Sequence, residues 1–185
     1  MKSRFRGRVT RFVCLALAAL CVAAFAGLGV RAQSSSAPEM KIVKPEDVKA
    51  MIAANKGKVV FLNFFATYCV PCHKEFPDII KLQTKYKSAG LEVVEISMND
   101  ASDPADKAAM AKYLEEVKPS FAVYLASSID DDFYKGVDPK WAADGEALPM
   151  TTIFGRDGKP AHFYEKALSF EEMERDVTPL LKASN

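Results

Sequence analysis

Apolar and polar positions follow two rhythms along this chain. Residues 59–65, VVFLNFF, are a run of β-branched and aromatic side chains interrupted only by Asn63. A strand apolar at every position belongs in the middle of a sheet covered on both faces, usual for largely parallel sheets. Residues 91–98, LEVVEISM, and 121–126 predict two more strands. Helical spacing lies between them. Residues 45–55 open on Pro45, carry Glu46 and Asp47 in the first turn, and have Gly57 just beyond the end. A second helix is predicted over residues 71–88, with Phe76, Ile79, Ile80 and Leu82 inward and Gly90 past its end. Asp103-Pro104 starts a third, in which Met110, Tyr113, Leu114 and Val117 recur before Pro119. Asp130-Asp131-Asp132 starts a short fourth.

Residues 151–155 and 160–164 flank Arg156-Asp157-Gly158-Lys159, whose Asp-Gly pair predicts a hairpin. Ser169 and Glu172 form a capping box for a last helix, with Leu168 and Met173 placed as its staple. The order is α-β-α-β-α-β-α-β-β-α, parallel crossovers first and a hairpin last. It predicts one α/β domain with a central mixed sheet flanked by helices.

Charge changes the picture at the N-terminus. Lys2, Arg4, Arg6, Arg8, Arg11 and Arg31 lie in the first 32 residues, which contain no acid. The rest carries 19 bases against 24 acids, a balance that gives no support to nucleic-acid binding. Residues 12–30 are uncharged, and Val30-Arg31-Ala32 ends the segment on a small residue. The segment has the form of a secretory signal peptide, and its length also suits an uncleaved N-terminal membrane anchor. Either way the following domain is expected to be exported, to the periplasm, soluble or tethered to the inner membrane. If the segment is uncleaved, the protein meets a membrane through it alone. Residues 33–40 read as a linker by composition, and residues 41–185 as the folded domain. Cys14 and Cys21 are small apolar residues of the leader, which leaves Cys69 and Cys72 as the cysteines of the exported domain.

That pair lies in FFATYCVPCHKEFP. A structural zinc site needs four Cys or His ligands, and Cys69, Cys72, His73 and His162 are a poor set because His73 is adjacent to Cys72. A purely structural disulfide would close a very short loop and remove little entropy from the unfolded chain. A redox pair uses every feature: Cys69 falls where a helix begins, whose positive end stabilises a thiolate, and Cys72 follows one turn later. Glu75 is three residues beyond Cys72, on the same helix face, where an acid can take a proton from that thiol.

Strand, aromatic-x-Cys-x-x-Cys, helix, then a proline and a hairpin resembles the thioredoxin fold. FLNFFATYCVPCHKEFP together with ALPMTTIFGRDGK resembles, more closely, the TlpA/ResA-like exported thiol–disulfide oxidoreductases. The likeness spans residues 41–184. It implies a thioredoxin-like fold with an α-β insertion between the cysteine helix and the proline hairpin. It also implies an exposed nucleophile at Cys69, a resolving thiol at Cys72, a turn restricted by Pro71, and Glu75 tuning protonation. Pro149 would be the cis-proline, packed against the cysteines, with the Leu148 backbone free to pair with an extended substrate. Tyr68 stands where a tryptophan is usual, and Asn63 where cytosolic thioredoxins carry a buried acid. Met150, where threonine is more usual, would add a soft contact to the substrate groove.

The resemblance implies protein disulfides or thiols as substrates, in cytochrome c or copper-site maturation, and a membrane electron donor for re-reduction. Dithiol chemistry of this kind needs no cofactor. The alternative is a copper-handling binding protein using Cys69 and Cys72, since soft thiolates select Cu(I). His73 is expected as an exposed helix residue, His162 as structural, and Trp141 as packing near the rim of the site.

Overall fold

The computed structural model describes residues 40–138, 141 and 147–183. The signal or anchor expected over residues 1–32, and the expected linker apart from Met40, lie outside the described residues.

Strands β1 (Ile42–Val43), β2 (Val59–Phe65), β3 (Leu91–Ser97), β4 (Val123–Ala126), β5 (Met150–Phe154) and β6 (Pro160–Tyr164) form one sheet in the order β1-β4-β3-β2-β5-β6. The β1, β4, β3 and β2 neighbours pair in parallel, whereas β5 runs antiparallel to β2 and β6 antiparallel to β5. Helices α1 (Pro45–Ala54), α2 (Val70–Tyr86), α3 (Pro104–Val117), α4 (Asp131–Val137) and α5 (Phe170–Lys182) complete the chain order. This is the thioredoxin-like arrangement, with β3, α3, β4 and α4 between the cysteine helix and the hairpin.

Strand β2 is the spine, and all seven of its residues are buried. Val60, Leu62 and Phe64 face a core shared with Phe133, Tyr134 and Trp141. Val59 and Phe61 face the opposite core, with Ile79, Leu82, Met173 and Val177. Phe65 continues that second face into a third cluster containing Cys69, Cys72, Phe76, Met110 and Tyr113. The strand therefore ends beneath the cysteines. The approach of α4 to α1 depends on Gly136, where a Cβ would stand 2.7 Å from the Pro45 ring carbons.

Local signals place the caps. Asp103 accepts from the Ala105 N–H and Asp130 from the Phe133 N–H. Ser169 and Glu172 exchange both capping-box bonds, and Leu168 and Met173 meet in one cluster. Two expected bounds shift and one strand is added. Helix α2 stops at Tyr86, and residues 87–89 tighten into a single 3₁₀ turn before Gly90, whose φ of 98° ends it. Strand β4 starts at Val123 rather than 121, and its ladder with β3 runs from Glu95–Val123 to Ser97–Leu125. Strand β1 is additional, held at the sheet edge by Leu125 and Ser127 N–H groups donating to the Lys41 and Val43 carbonyls.

Candidate active site

From the end of β2, Ala66, Thr67, Tyr68 and Cys69 carry the chain into α2. Asn99 fixes this turn from the end of β3. Its Oδ1 accepts from the Thr67 N–H at 3.0 Å and from the Ser97 hydroxyl at 2.9 Å, and its Nδ2 donates to Thr67 Oγ1 at 2.6 Å. The Tyr68 hydroxyl donates to the Met98 carbonyl at 3.3 Å. The next residue, Cys69, is the N-cap of α2, and its Sγ accepts the Cys72 N–H at 3.2 Å.

Cys69 and Cys72 are joined in a disulfide. Once it is reduced, the Cys72 N–H and the positive helix end favour the thiolate on Cys69. Cys69 is 8% exposed and Cys72 2%. The exposed nucleophile implied by the resemblance is thus largely covered, because the N-cap turns its sulfur onto the first helical turn. What remains open faces a groove of about 530 Å³, lined by Tyr68, Val70, Pro71, Met98, Ile129, Tyr134 and Leu148. Tyr68 and Val70 are among the most exposed large apolar side chains of the described residues.

The Leu148–Pro149 peptide bond is cis. Leu148 lines the groove, whereas Pro149 and Met150 are buried and do not. Met150 packs with Phe64 and Trp141 in the core and pairs with Phe64 in the sheet. The structure therefore brings Tyr68, Cys69, Pro71 and Leu148 to one surface and sets Cys72, Glu75, Pro149 and Met150 behind it.

Glu75 is 2% exposed. Its Oε1 accepts from the Leu168 N–H at 3.1 Å, and among the described residues its Oε2 has no hydrogen-bond partner. Burial pushes its pKa up to about 7, with the Leu168 N–H and the Asn63 side chain pulling the other way. Nearby Asp78 and Glu172 add smaller upward pushes. A carboxyl in this state can both hold and release a proton at neutral pH. Asn63 directs its Nδ2 to Thr151 Oγ1 at 2.9 Å.

Sequence reasoning missed Asn99, which is fully buried, and Glu95, which is fully buried on β3. An acid that follows Val93-Val94 and precedes Ile96 in the β3 run was the available signal for Glu95. His73 is exposed, as expected, with its Nε2 at 2.7 Å from the Thr67 carbonyl and its ring 4.5 Å from that of Tyr113. His162 lies on β6 with its ring parallel to that of Tyr164. Trp141 is buried against Phe64 and stacks on Phe163, a packing role. Among the described residues, no group of three or more His, Cys, Asp or Glu is placed to hold a metal ion.

A Cys-x-x-Cys disulfide at a helix start, with the residue before a cis-proline lining the same groove, defines a thiol–disulfide oxidoreductase of thioredoxin-like fold. The chain belongs to the Redoxin family, whose model matches residues 32–177, and within it to the ResA-like thiol–disulfide oxidoreductases. It is 31% identical over 146 residues to the thiol-disulfide oxidoreductase ResA of Bacillus thuringiensis subsp. konkukian, covering 77% of each chain. It is 29% identical over 160 residues to ResA of Bacillus subtilis, covering 86% of this chain and 82% of that one. Solved structures agree at the level of fold. A thiol:disulfide interchange protein of the thioredoxin family from Chlorobium tepidum gives a TM-score of 0.58 at 22% identity, over 70% of this chain and 83% of that one. A secreted thiol-disulfide isomerase from Corynebacterium glutamicum gives 0.60 at 16% identity, over 71% and 75%. The protein is a dithiol–disulfide oxidoreductase that acts on protein thiols or disulfides.

Proposed function

We propose that this protein is an exported reductase of protein disulfides. The observation that carries the reading is the placement of one sulfur at a groove and the other behind it, with a protonatable acid buried on the same helix. In the reduced protein the Cys69 thiolate attacks a substrate disulfide; one substrate sulfur leaves as a thiolate, and a mixed disulfide joins Cys69 to the other. Cys72 gives its proton to the Glu75 carboxylate. The Cys72 electron pair then forms the Cys69–Cys72 bond as the mixed disulfide breaks and the second substrate sulfur departs. Two electrons pass to the substrate, and the protein is left oxidised.

Tyr68, Pro71 and Leu148 receive the substrate. Pro149 and Met150 form the wall behind them, and the Leu148 backbone pairs with an extended segment. Residues 1–32 direct the chain across the membrane as a cleaved signal or a retained anchor, residues 33–40 are the linker, and residues 41–185 work in the periplasm. Re-reduction comes from a membrane electron donor, and the substrates are the disulfides formed by the apocytochrome c or copper-site cysteines that the resemblance implies.

The test is Cys72→Ser in the native host. An unresolved mixed disulfide should accumulate on Cys69 and identify the substrate. Absence of any Cys69 adduct, with the variant folded and exported, overturns the reading.

A further inference from the structure

Strand β3 puts Leu91, Val93, Glu95 and Ser97 on one face, and Leu91 and Val93 take part in the core against Ile79 and Leu82 of α2. Glu95 follows in the same row. It pairs in register with Asn63 on one side and Val123 on the other, and it is 0% exposed. Among the described residues neither Glu95 oxygen has a hydrogen-bond partner, nor do Glu75 Oε2 and the Tyr113 hydroxyl. Native interiors rarely leave such groups unsatisfied, and burying a carboxyl without partners costs stability. The position is therefore spent on a carboxyl for a reason other than stability.

The charged and titratable groups around it are few. Helix α2 brings Glu75 and, beyond it, Asp78; α3 brings Tyr113 and Glu116; α5 brings Glu172 to Glu75. Strands β2 and β4 present Asn63 and Val123 in register and add no charge. Two buried carboxyls, one of whose charge acts on the other, ionise one at a time.

We propose that Glu95 is a positioning residue of the redox centre, a second carboxyl that stays protonated while Glu75 ionises and so limits the buried layer to one negative charge during exchange. The inference rests on the reading of Glu75 as proton acceptor for Cys72. Burial and the Glu75 charge both hold the Glu95 proton. Glu75 has the Leu168 N–H to steady its charge, whereas among the described residues Glu95 has no donor, so Glu75 is the first of the two to ionise. While Glu95 is neutral, the anion on Glu75 is free to take the Cys72 proton, and Cys72 forms its thiolate beside a neutralised layer. When Glu95 ionises at higher pH, a second negative charge opposes that thiolate. Glu95 thus acts as an alkaline brake on resolution.

The experiment follows the rate at which Cys72 resolves a preformed mixed disulfide on Cys69, from acid to alkaline pH, in the purified protein. Wild type should rise to a plateau with an inflection near pH 7 and then fall at a second inflection above it. Glu95→Gln should keep the first and lose the second, exceeding wild type by about tenfold at the alkaline end, the change for one unit of thiol pKa. Glu95→Asp should restore the second inflection. A Glu95→Gln profile that superimposes on wild type, while Glu75→Gln loses the inflection near pH 7, overturns this inference and leaves the role of Glu75 standing. A Glu75→Gln profile identical to wild type overturns both. Carboxyl-carbon NMR of the unsubstituted protein gives an independent answer: Glu95 should titrate after Glu75, and titration with the surface carboxyls refutes the proposal.

Discussion

Glu75 and Leu168 are 93 residues apart in sequence, and the Glu75 carboxylate accepts the Leu168 N–H at 3.1 Å. The bond ties the cysteine helix to the segment that enters α5, and it satisfies only one of the two buried carboxylate oxygens. Among the described residues the other has no hydrogen-bond partner, which leaves it open to proton exchange. A purely structural glutamate would be expected to have both oxygens engaged.

Glu75→Gln keeps an acceptor for Leu168 and removes the proton site. Resolution of the mixed disulfide at pH 7 should slow by about 100-fold, the usual scale for a lost general base. Attack by Cys69 should be little changed. Single-turnover kinetics with a fluorescent disulfide separates the two steps.

The same burial makes stability depend on pH. Glu75 binds its proton near pH 7 when folded and near its ordinary value of 4.5 when unfolded, so the folded state holds the proton more tightly in that window. Its contribution is fully present below pH 4.5 and lost as pH rises through 7. The loss is about 3 kcal/mol for a shift of this size. Glu95, raised by burial and by Glu75, extends the decline to higher pH. Urea unfolding of the oxidised protein should give a lower midpoint at pH 8 than at pH 5, and Glu75→Gln should flatten the difference.

Asn99 makes a separate prediction. Three hydrogen bonds from its side chain hold Thr67 and Ser97, joining the turn before Cys69 to the end of β3. Asn99→Ala leaves partly buried partners unpaired and should destabilise the protein by about 2–3 kcal/mol. Asn99→Asp retains the acceptor for the Thr67 N–H, and its loss should be smaller. Denaturant midpoints of the two variants decide it.

Much of this architecture is written locally. The β2 run, the Pro45, Asp103 and Asp130 helix starts, the Asp157-Gly158 turn and the Ser169 capping box each act within a few residues, and periodicity exposes them. Strand β1 is different: Ile42–Val43 is too short for a rhythm, and its pairing comes from β4 more than 80 residues away. Glu95 also escaped, because a charge in a strand reads as a solvent position until α2 and α3 are known to cover that face. The covering of Cys69 depends on the same packing, since Phe76, Met110 and Tyr113 converge there from two helices. Chemistry was legible where spacing carried it and hidden where tertiary burial did.

Tyr68 separates binding from chemistry. The residue is 65% exposed beside Cys69 and lines the groove with Leu148, while its hydroxyl reaches the Met98 carbonyl. Little apolar area is removed from water until a substrate covers it, so the ring contributes to the complex more than to the fold. Tyr68→Ala should raise the KM for a disulfide-bearing protein substrate by about tenfold, equivalent to about 1.4 kcal/mol. Glutathione disulfide, too small to span the groove, should be reduced at nearly the wild-type rate, and the denaturation midpoint should move little. Tyr68→Phe keeps the ring and loses the hydroxyl, so its KM should stay near wild type. Equal losses toward the protein substrate and glutathione would place Tyr68 in the exchange step and remove it from the substrate-binding surface.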